Sequence, residues 1–396
     1  MVSADTILTI SPVVPDNGTS GYKLAIRSDM EALRASGYSV HALCLHDGTT
    51  ASQRDARSPS LVRVRAKKGG RLRRSLRGLF SLVPAAAERY YVRGLIEALD
   101  RTAPHQPVAI IIQDVPLSGW IPLLRRRYPG VPIVLRSHNF MAPIARAQEM
   151  DAGLLRPLFM VERWKWERLE RQGVLNADAV WCISMHEAVE MQRAYPGREI
   201  SYAPVAIDIS RYKSLPTCGG QPRTFCHLGT LDLKKAPGLL WFIRSVWPRV
   251  LSVAPDATLL VGGRQARSVP IDGVNVRYVG EIGDDRDLLG LCRYFVNPQH
   301  VGGGIKLKSL TALAAGRVLL STRNGVAGLS VRDEYEYMAL EQWDDTAWWS
   351  RVLRDEEYTC RIAAAGRSWV EAAHGRAVCH ASIGRLMETL FMHREQ

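Results

Sequence analysis

The chain lacks the spacings that hold a metal ion. Its seven cysteines (Cys44, Cys182, Cys218, Cys226, Cys292, Cys360 and Cys379) include no C-x-x-C pair, and its ten histidines are equally scattered. No zinc site is expected, and the odd, dispersed cysteines read as reduced thiols of a cytoplasmic protein. Long apolar runs are missing too. Stretches such as Val108–Ile112 and Leu239–Ile243 fall far short of the ~18–20 residues that span a bilayer. The opening MVSADTILTIS carries an acid at Asp5, so neither a membrane span nor a cleaved leader is expected. No G-x-x-x-x-G-K-[ST] and no helix-opening G-x-G-x-x-G occurs, which argues against P-loop ATP chemistry and dinucleotide enzymes. Repeats of fixed period and low-complexity tracts are absent.

What is present is globular. Hydrophobic residues make up 46% and charged residues 23% of 396 residues, enough apolar material for two domains of roughly 150–200 residues. The net charge of +13 is local. Nine Lys/Arg and no acid lie between Ala56 and Ala87, and without them 43 bases face 39 acids, or +4. This patch (Lys67, Lys68, Arg71, Arg73, Arg74, Arg77) is interspersed with Leu72, Leu76, Leu79 and Phe80. Bases mixed with apolar side chains suit an anionic membrane face, and a solvated basic loop is the plainer reading. Aromatic interleaving for base stacking is missing, so nucleic acid is not an expected partner.

Short β-branched runs alternate with longer helical patterns, the mark of an α/β chain with doubly wound parallel sheets. Strands are expected at Thr6–Ser11, Ser39–Leu45, Leu61–Val64, Val108–Gln113, Pro132–Arg136 and Ala179–Ile183. A second series is expected at Thr224–Leu228, Ala257–Val261, Val274–Tyr278, Tyr294–Asn297, Val318–Thr322 and Tyr337–Leu340. Between the two series, Asp208, Pro216 and Gly219-Gly220 read as a connector. Residues 1–203 and 223–372 therefore read as two domains, with 204–222 between them and a C-terminal helix over 373–396 packing back on the first. In such sheets ligands bind beyond the carboxyl ends of the strands, and with two domains the natural site is a cleft between them.

The strongest local signal is VNPQHVGGGIKLKSLTALAAG, residues 296–316. A strand end, then Gly302, Gly303 and Gly304, then a helix opened by Lys306 and Lys308 make an anion site suited to a diphosphate. Lys308 and Thr311 share a helix face. Asp285-Arg286-Asp287 has the D-x-D form of a metal-dependent transferase but precedes DLLGLC, and reads as a helix cap. Glu162, Glu167 and Glu170 alternate with Arg163, Lys165 and Arg168 and read as a salt-bridged solvent face. Trp164, Trp166, Trp348 and Trp349 read as packing aromatics.

GGGIKLKSLTALAAGRVLLSTRNGVAGL resembles the donor-binding segment of GT-B fold glycosyltransferases of the GT4-like group, also called glycosyl transferases group 1. Other segments resemble the same family in order along the chain: SPVVPDNGTSGYKLAIRSDMEALRASGYSV (11–40), RSHNFMAPIARAQEM (136–150), ERLERQGVLNADAVWCIS (167–184), APVAID (203–208) and HLGTLDLKKAPGLLWFIRSVWPRVLSVAPDATLLVGG (227–263). The resemblance implies two Rossmann-like domains facing across a cleft. It also implies transfer of a sugar from a nucleotide-sugar donor, with retention, with no cofactor and without a metal. It places Gly302, Gly303, Gly304, Lys306 and Lys308 near the donor phosphates and Gly18 near the transferring end. His138 would face the donor sugar across the cleft, and Lys235 would stand as a phosphate-neutralising cation. Thr311 stands where the family usually has a Glu that binds the ribose hydroxyls, and a lost charged acceptor weakens such a contact by about 1–3 kcal/mol.

Joined to the basic patch, the resemblance implies a cytoplasmic enzyme, peripheral at the inner face of the plasma membrane, acting on a lipid-linked or cell-surface glycan. A soluble natural-product glycosyltransferase, a nucleotide-sugar epimerase and a catalytically silent membrane scaffold are the alternatives.

Overall fold

The computed structural model describes residues 5–15, 21–46, 61–65, 81–102, 106–231, 236–264 and 269–395. The chain divides into two compact units, one of residues 1–205 with 379–396, the other of 206–378.

The first unit is built on seven parallel strands: β1 (Thr6–Ser11), β2 (Ser39–His46), β3 (Leu61–Arg65), β4 (Ala109–Gln113), β5 (Ile133–Ser137), β6 (Ala179–Cys182) and β7 (Ile200–Tyr202). They lie in the order β3-β2-β1-β4-β5-β6-β7. Alternate residues of one strand enter different cores. Ile110 and Ile112 of β4 join Leu8, Ile10, Leu43 and Leu135, while Ala109 and Ile111 join Ile7, Ile26, Leu33 and Val134. Burial on both faces is why β4 reads as an unbroken apolar run, and it requires parallel pairing with covering helices. One cover is the Arg376–Glu395 helix, which puts Ile383, Met387 and Leu390 into the second of these cores.

The second unit carries β8 (Gln221–Leu228), β9 (Thr258–Gly262), β10 (Val276–Gly280), β11 (Cys292–Asn297), β12 (Val318–Ser321) and β13 (Met338–Ala339). Their order is β10-β9-β8-β11-β12-β13, all parallel. Relative to the first strand of the unit this is the 3-2-1-4-5-6 Rossmann order, which reverses between β8 and β11. Phe225 of β8 stacks on Tyr294 of β11 at 4.6 Å within a core that also holds Leu259, Val296, Val318, Trp247 and Trp349.

Several expectations need correction. β7 is only three residues long, too short for an alternating pattern to announce it. The C-terminal segment carries two helices, Glu356–His374 and Arg376–Glu395, broken at Gly375, so the helix expected over 373–396 begins only after that break. There the backbone turns extended, and Ile207 N–H bonds the His374 carbonyl at 2.8 Å. Within the connector Tyr212 is buried, and Arg367 donates to the carbonyls of Leu215 (3.0 Å) and Tyr212 (3.2 Å). Four of the seven cysteines are not thiols. Cys218 pairs with Cys360 and Cys226 with Cys292, with Cα separations of 5.0 and 6.0 Å. Pairing of β8 with β11 brings the latter two within disulfide range although 66 residues separate them. Cys44, Cys182 and Cys379 are buried thiols, and burial pushes each up to about 12. No helix among the described residues is long and apolar enough to cross a membrane.

Candidate active site

In the second unit the order of strands reverses between β8 and β11, and ligands of such sheets bind in the crevice beyond those carboxyl ends. Gly229 follows β8, and Pro298–Gly304 follows β11. The glycine loop needs its glycines: Gly302 (φ +119°) and Gly304 (φ +66°) lie where an L side chain is strained. The loop is closed from inside. Lys306 is 6% exposed and its Nζ donates to the carbonyls of Gly302 and Gly303, each at 2.7 Å, and of Gly304 at 3.4 Å. Beneath it, Asn297 Nδ2 donates to Ser309 Oγ (2.8 Å) and to the Gly325 carbonyl (2.9 Å), tying β11 to the next helix and to the turn after β12.

That next helix is Leu307–Ala314. Leu310, Leu313 and Ala314 face the interior, while Lys308 and Thr311 are half-buried. The Lys308 ammonium reaches the end of β8: a Cβ on Gly229 would run into Nζ and lie 2.8 Å from Cε. Beside it, buried His227 is bound through Nδ1 to the Val296 carbonyl at 2.8 Å. A carbonyl only accepts, so Nδ1 bears the proton. Burial, reinforced by the Lys308 charge, holds this imidazole down to about 3, so it is neutral. A cation, a neutral histidine and a helix N-terminus thus meet at the switch point, an arrangement fit for a diphosphate.

In the first unit the order reverses between β1 and β4. Asp114, directly after β4, is buried with φ +94°. A non-glycine residue held there stores roughly 1–3 kcal/mol of strain, a cost found mainly at functional sites. Its carboxylate accepts from Tyr22 Oη (2.7 Å), Val115 N (2.9 Å) and His138 N (3.4 Å). Burial raises the Asp114 carboxyl against the pull of these bonds, and it raises the Tyr22 hydroxyl well above its usual range. His138, just past β5, is 2% exposed, with its ring 4.7 Å from that of Tyr22. Burial and then the Arg136 charge hold it well below the usual histidine range, so it is neutral. The next residues open the Met141–Met150 helix, whose first N–H groups at Met141 (2.6 Å) and Ala142 (3.0 Å) donate to Glu170.

The chain's sequence matches two family models, a glycosyl transferase 4-like domain over residues 20–206 and glycosyl transferases group 1 over residues 222–354. Together they span most of its length. The chain belongs to the group 1 glycosyltransferases, on the GT-B fold. No curated protein matches it in sequence. Solved structures similar to it include HepE of Anabaena in complex with UDP and glucose, at 12% identity and TM-score 0.67 over 96% of this chain and 99% of that one. Sucrose-phosphate synthase of Thermosynechococcus elongatus is similar at 17% identity and TM-score 0.70, over 98% and 100%. TarM of S. aureus in complex with fondaparinux, alpha-GlcNAc-glycerol and UDP is similar at 8% identity and TM-score 0.67, over 98% and 99%.

Of the expected site residues of this glycosyltransferase, Gly302, Gly303, Gly304, Lys306, Lys308 and Thr311 lie together around the end of β11. His138 lies in the other unit. Gly18, Lys235 and the patch Lys67, Lys68, Arg71, Arg73, Arg74 and Arg77 lie outside the described residues. The Lys306 ammonium is bonded to three loop carbonyls and so shapes the loop. Glu170 is fully buried and caps a helix, so it is no part of a solvent face. A sequence periodicity cannot see a helix start from elsewhere in the chain. At the D-x-D segment the cap is Asp284, which accepts from Arg286 N at 3.0 Å, while Asp285 accepts from Tyr212 Oη at 2.7 Å. Trp166, Trp348 and Trp349 are buried, and Trp164 is half exposed. Tyr22, Asp114 and His227 were missed. For Asp114 a signal exists, an acid directly after an apolar strand at the reversal point of the sheet.

Proposed function

We propose that this glycosyltransferase transfers a sugar from a UDP-sugar to a hydroxyl of a lipid-linked or cell-surface glycan, with retention and without a metal. The observation that carries the reading is the Lys308 ammonium beside Gly229, at the reversal of the second sheet. UDP is the nucleotide in the HepE and TarM complexes. When the bond between the sugar and the diphosphate breaks, the electron pair leaves with UDP, and charge grows on its phosphate oxygens. Lys308 and the N–H groups opening the Leu307–Ala314 helix stabilise that charge, a preorganised electrostatic contribution to the transition state. The acceptor oxygen bonds the anomeric carbon on the face that UDP leaves, and its proton passes to the departing phosphate.

The acceptor side rests on the basic segment and on exposed apolar side chains along residues 150–164, Met150, Leu154, Leu155, Leu158, Val161 and Trp164, each at least 42% exposed. Apolar side chains of this size left in water together suit an acyl-chain boundary. The silent-scaffold reading keeps one observation in its favour, Thr311 in the position of the usual Glu. The experiment that decides is thermal unfolding with UDP, GDP, ADP and their sugars, followed by transfer assays on lipid-linked acceptors with and without EDTA. A ligand at 100 times its Kd adds about 2.7 kcal/mol. The reading expects a selective shift with UDP and EDTA-insensitive transfer; no shift with any nucleotide overturns it in favour of the scaffold.

A further inference from the structure

We infer that Asp29 and Gln113 are positioning residues that fix the tautomer of His138, so that its proton sits on Nε2 and Nδ1 is offered as an acceptor to a sugar hydroxyl. The hydroxyl partner rests on the proposed glycosyl transfer; the tautomer does not.

The argument runs through three buried contacts, each of which permits one orientation. Arg136 of β5 and Asp29 of the Gly21–Ala35 helix form a two-pronged ion pair, Nε to Oδ2 at 2.8 Å and Nη2 to Oδ1 at 3.0 Å. Both side chains are almost fully buried. Both Asp29 oxygens accept from the guanidinium, so the face they turn to other neighbours is an acceptor face. Gln113, the last residue of β4, donates its Nε2 to Asp29 Oδ2 at 3.3 Å. Turning the amide over would set its oxygen against the carboxylate, so the orientation is locked. The other end of the amide, Oε1, lies 3.1 Å from His138 Nε2. A carbonyl oxygen only accepts, so Nε2 carries the hydrogen. His138 is neutral, hence Nδ1 keeps its lone pair.

Among the described residues, the remaining neighbours do not compete for Nε2. The Tyr22 hydroxyl is committed to Asp114 at 2.7 Å, and Asp114 meets His138 through the main-chain N–H. Arg136 uses Nη1 on the Trp181 carbonyl at 3.3 Å. The ion pair therefore acts on the histidine at second hand, through an amide whose direction it dictates. An acceptor nitrogen favours a hydroxyl donor over a carbonyl or phosphate oxygen, which suits a sugar.

The test is spectroscopic first. The full-length protein, labelled with 15N at histidine, is measured near pH 7 by two-bond proton–nitrogen correlation, with His138 assigned by the signals that vanish in His138→Gln. The expected pattern is a single neutral form protonated at Nε2. A form protonated at Nδ1, a mixture of tautomers, or an imidazolium in the unmutated protein overturns the inference. Gln113→Met removes the carbonyl without adding a charge and is expected to give a tautomer mixture; a pure Nε2–H form in the folded variant also overturns it. Asp29→Asn, which frees the amide to turn, is expected to give a mixture, but it unpairs Arg136, so the wild-type spectrum decides if that variant does not fold. In transfer assays Gln113→Met is expected to lower kcat at least ~10-fold with the UDP-sugar KM within about twofold; an unchanged kcat overturns the proposed use of Nδ1. Should no nucleotide sugar be consumed at all while the Nε2–H pattern holds, the transfer reading fails and the tautomer assignment stands.

Discussion

Gly229→Ala separates the placement of a cation from the stability of the fold. The added Cβ would overlap Lys308 Nζ and come within 2.8 Å of its Cε. Carbon contacts settle near 3.5–4.0 Å, so the end of the lysine must retreat by roughly 1 Å or more. Because that end is flexible and Gly229 has no positive φ, the retreat costs little, and the melting temperature should fall by no more than the equivalent of about 1 kcal/mol. Charge placement is far less tolerant. A displacement of ~1 Å in a positioning group can cost on the order of 100-fold in rate. The expected outcome is a near-normal melting curve with UDP affinity weakened and turnover down at least ~10-fold. Calorimetric titration of UDP and initial rates with a UDP-sugar check it. Normal melting together with normal UDP binding and turnover would show that Lys308 does not act where the structure sets it, and the site assignment would fall with it.

Three further outcomes are expected. Lys308→Ala should lower turnover at least ~10-fold, and because its charge depresses His227, the histidine should titrate higher in the variant; unchanged rates remove Lys308 from the site. Burial raises the Glu170 carboxyl from 4.5 to about 8 in spite of its two N–H bonds. Between those values the folded state holds the extra proton, so this contribution is complete below 4.5 and is lost as pH rises through about 8. Melting temperatures measured from about pH 5 to about pH 8 should fall more steeply for the wild type than for Glu170→Gln, and parallel slopes would refute the assignment. Charge reversal of Arg71, Arg73 and Arg74 to Glu should abolish salt-sensitive binding to anionic liposomes, and Leu154→Asp with Leu158→Asp should weaken what remains in high salt. Undiminished flotation with vesicles sinks the membrane reading.

Local features were legible in the residues alone because their causes are local. β4 and β11 announce themselves as apolar runs, the Gly302–Gly304 loop by glycines in sequence, and the helix after it by Leu307, Leu310 and Ala314 at helical spacing, of which Leu310 and Ala314 are fully buried while Leu307 is only partly so. Ordered matches along the chain then carried the family, since each segment needs only its own neighbours to fold. What tertiary structure alone decided are meetings between distant segments. Lys308 reaches Gly229, Tyr22 reaches Asp114 and Gln113 stands between Asp29 and His138 only because parallel strands align their carboxyl ends at the reversal of each sheet. The same alignment joined Cys226 to Cys292, which dispersed spacing had suggested were thiols. Glu170 shows the converse. Its charged neighbours at helical spacing pointed to solvent, but packing set it against a helix start from another segment, and side-chain burial is a property of what covers a residue, which its own sequence does not contain.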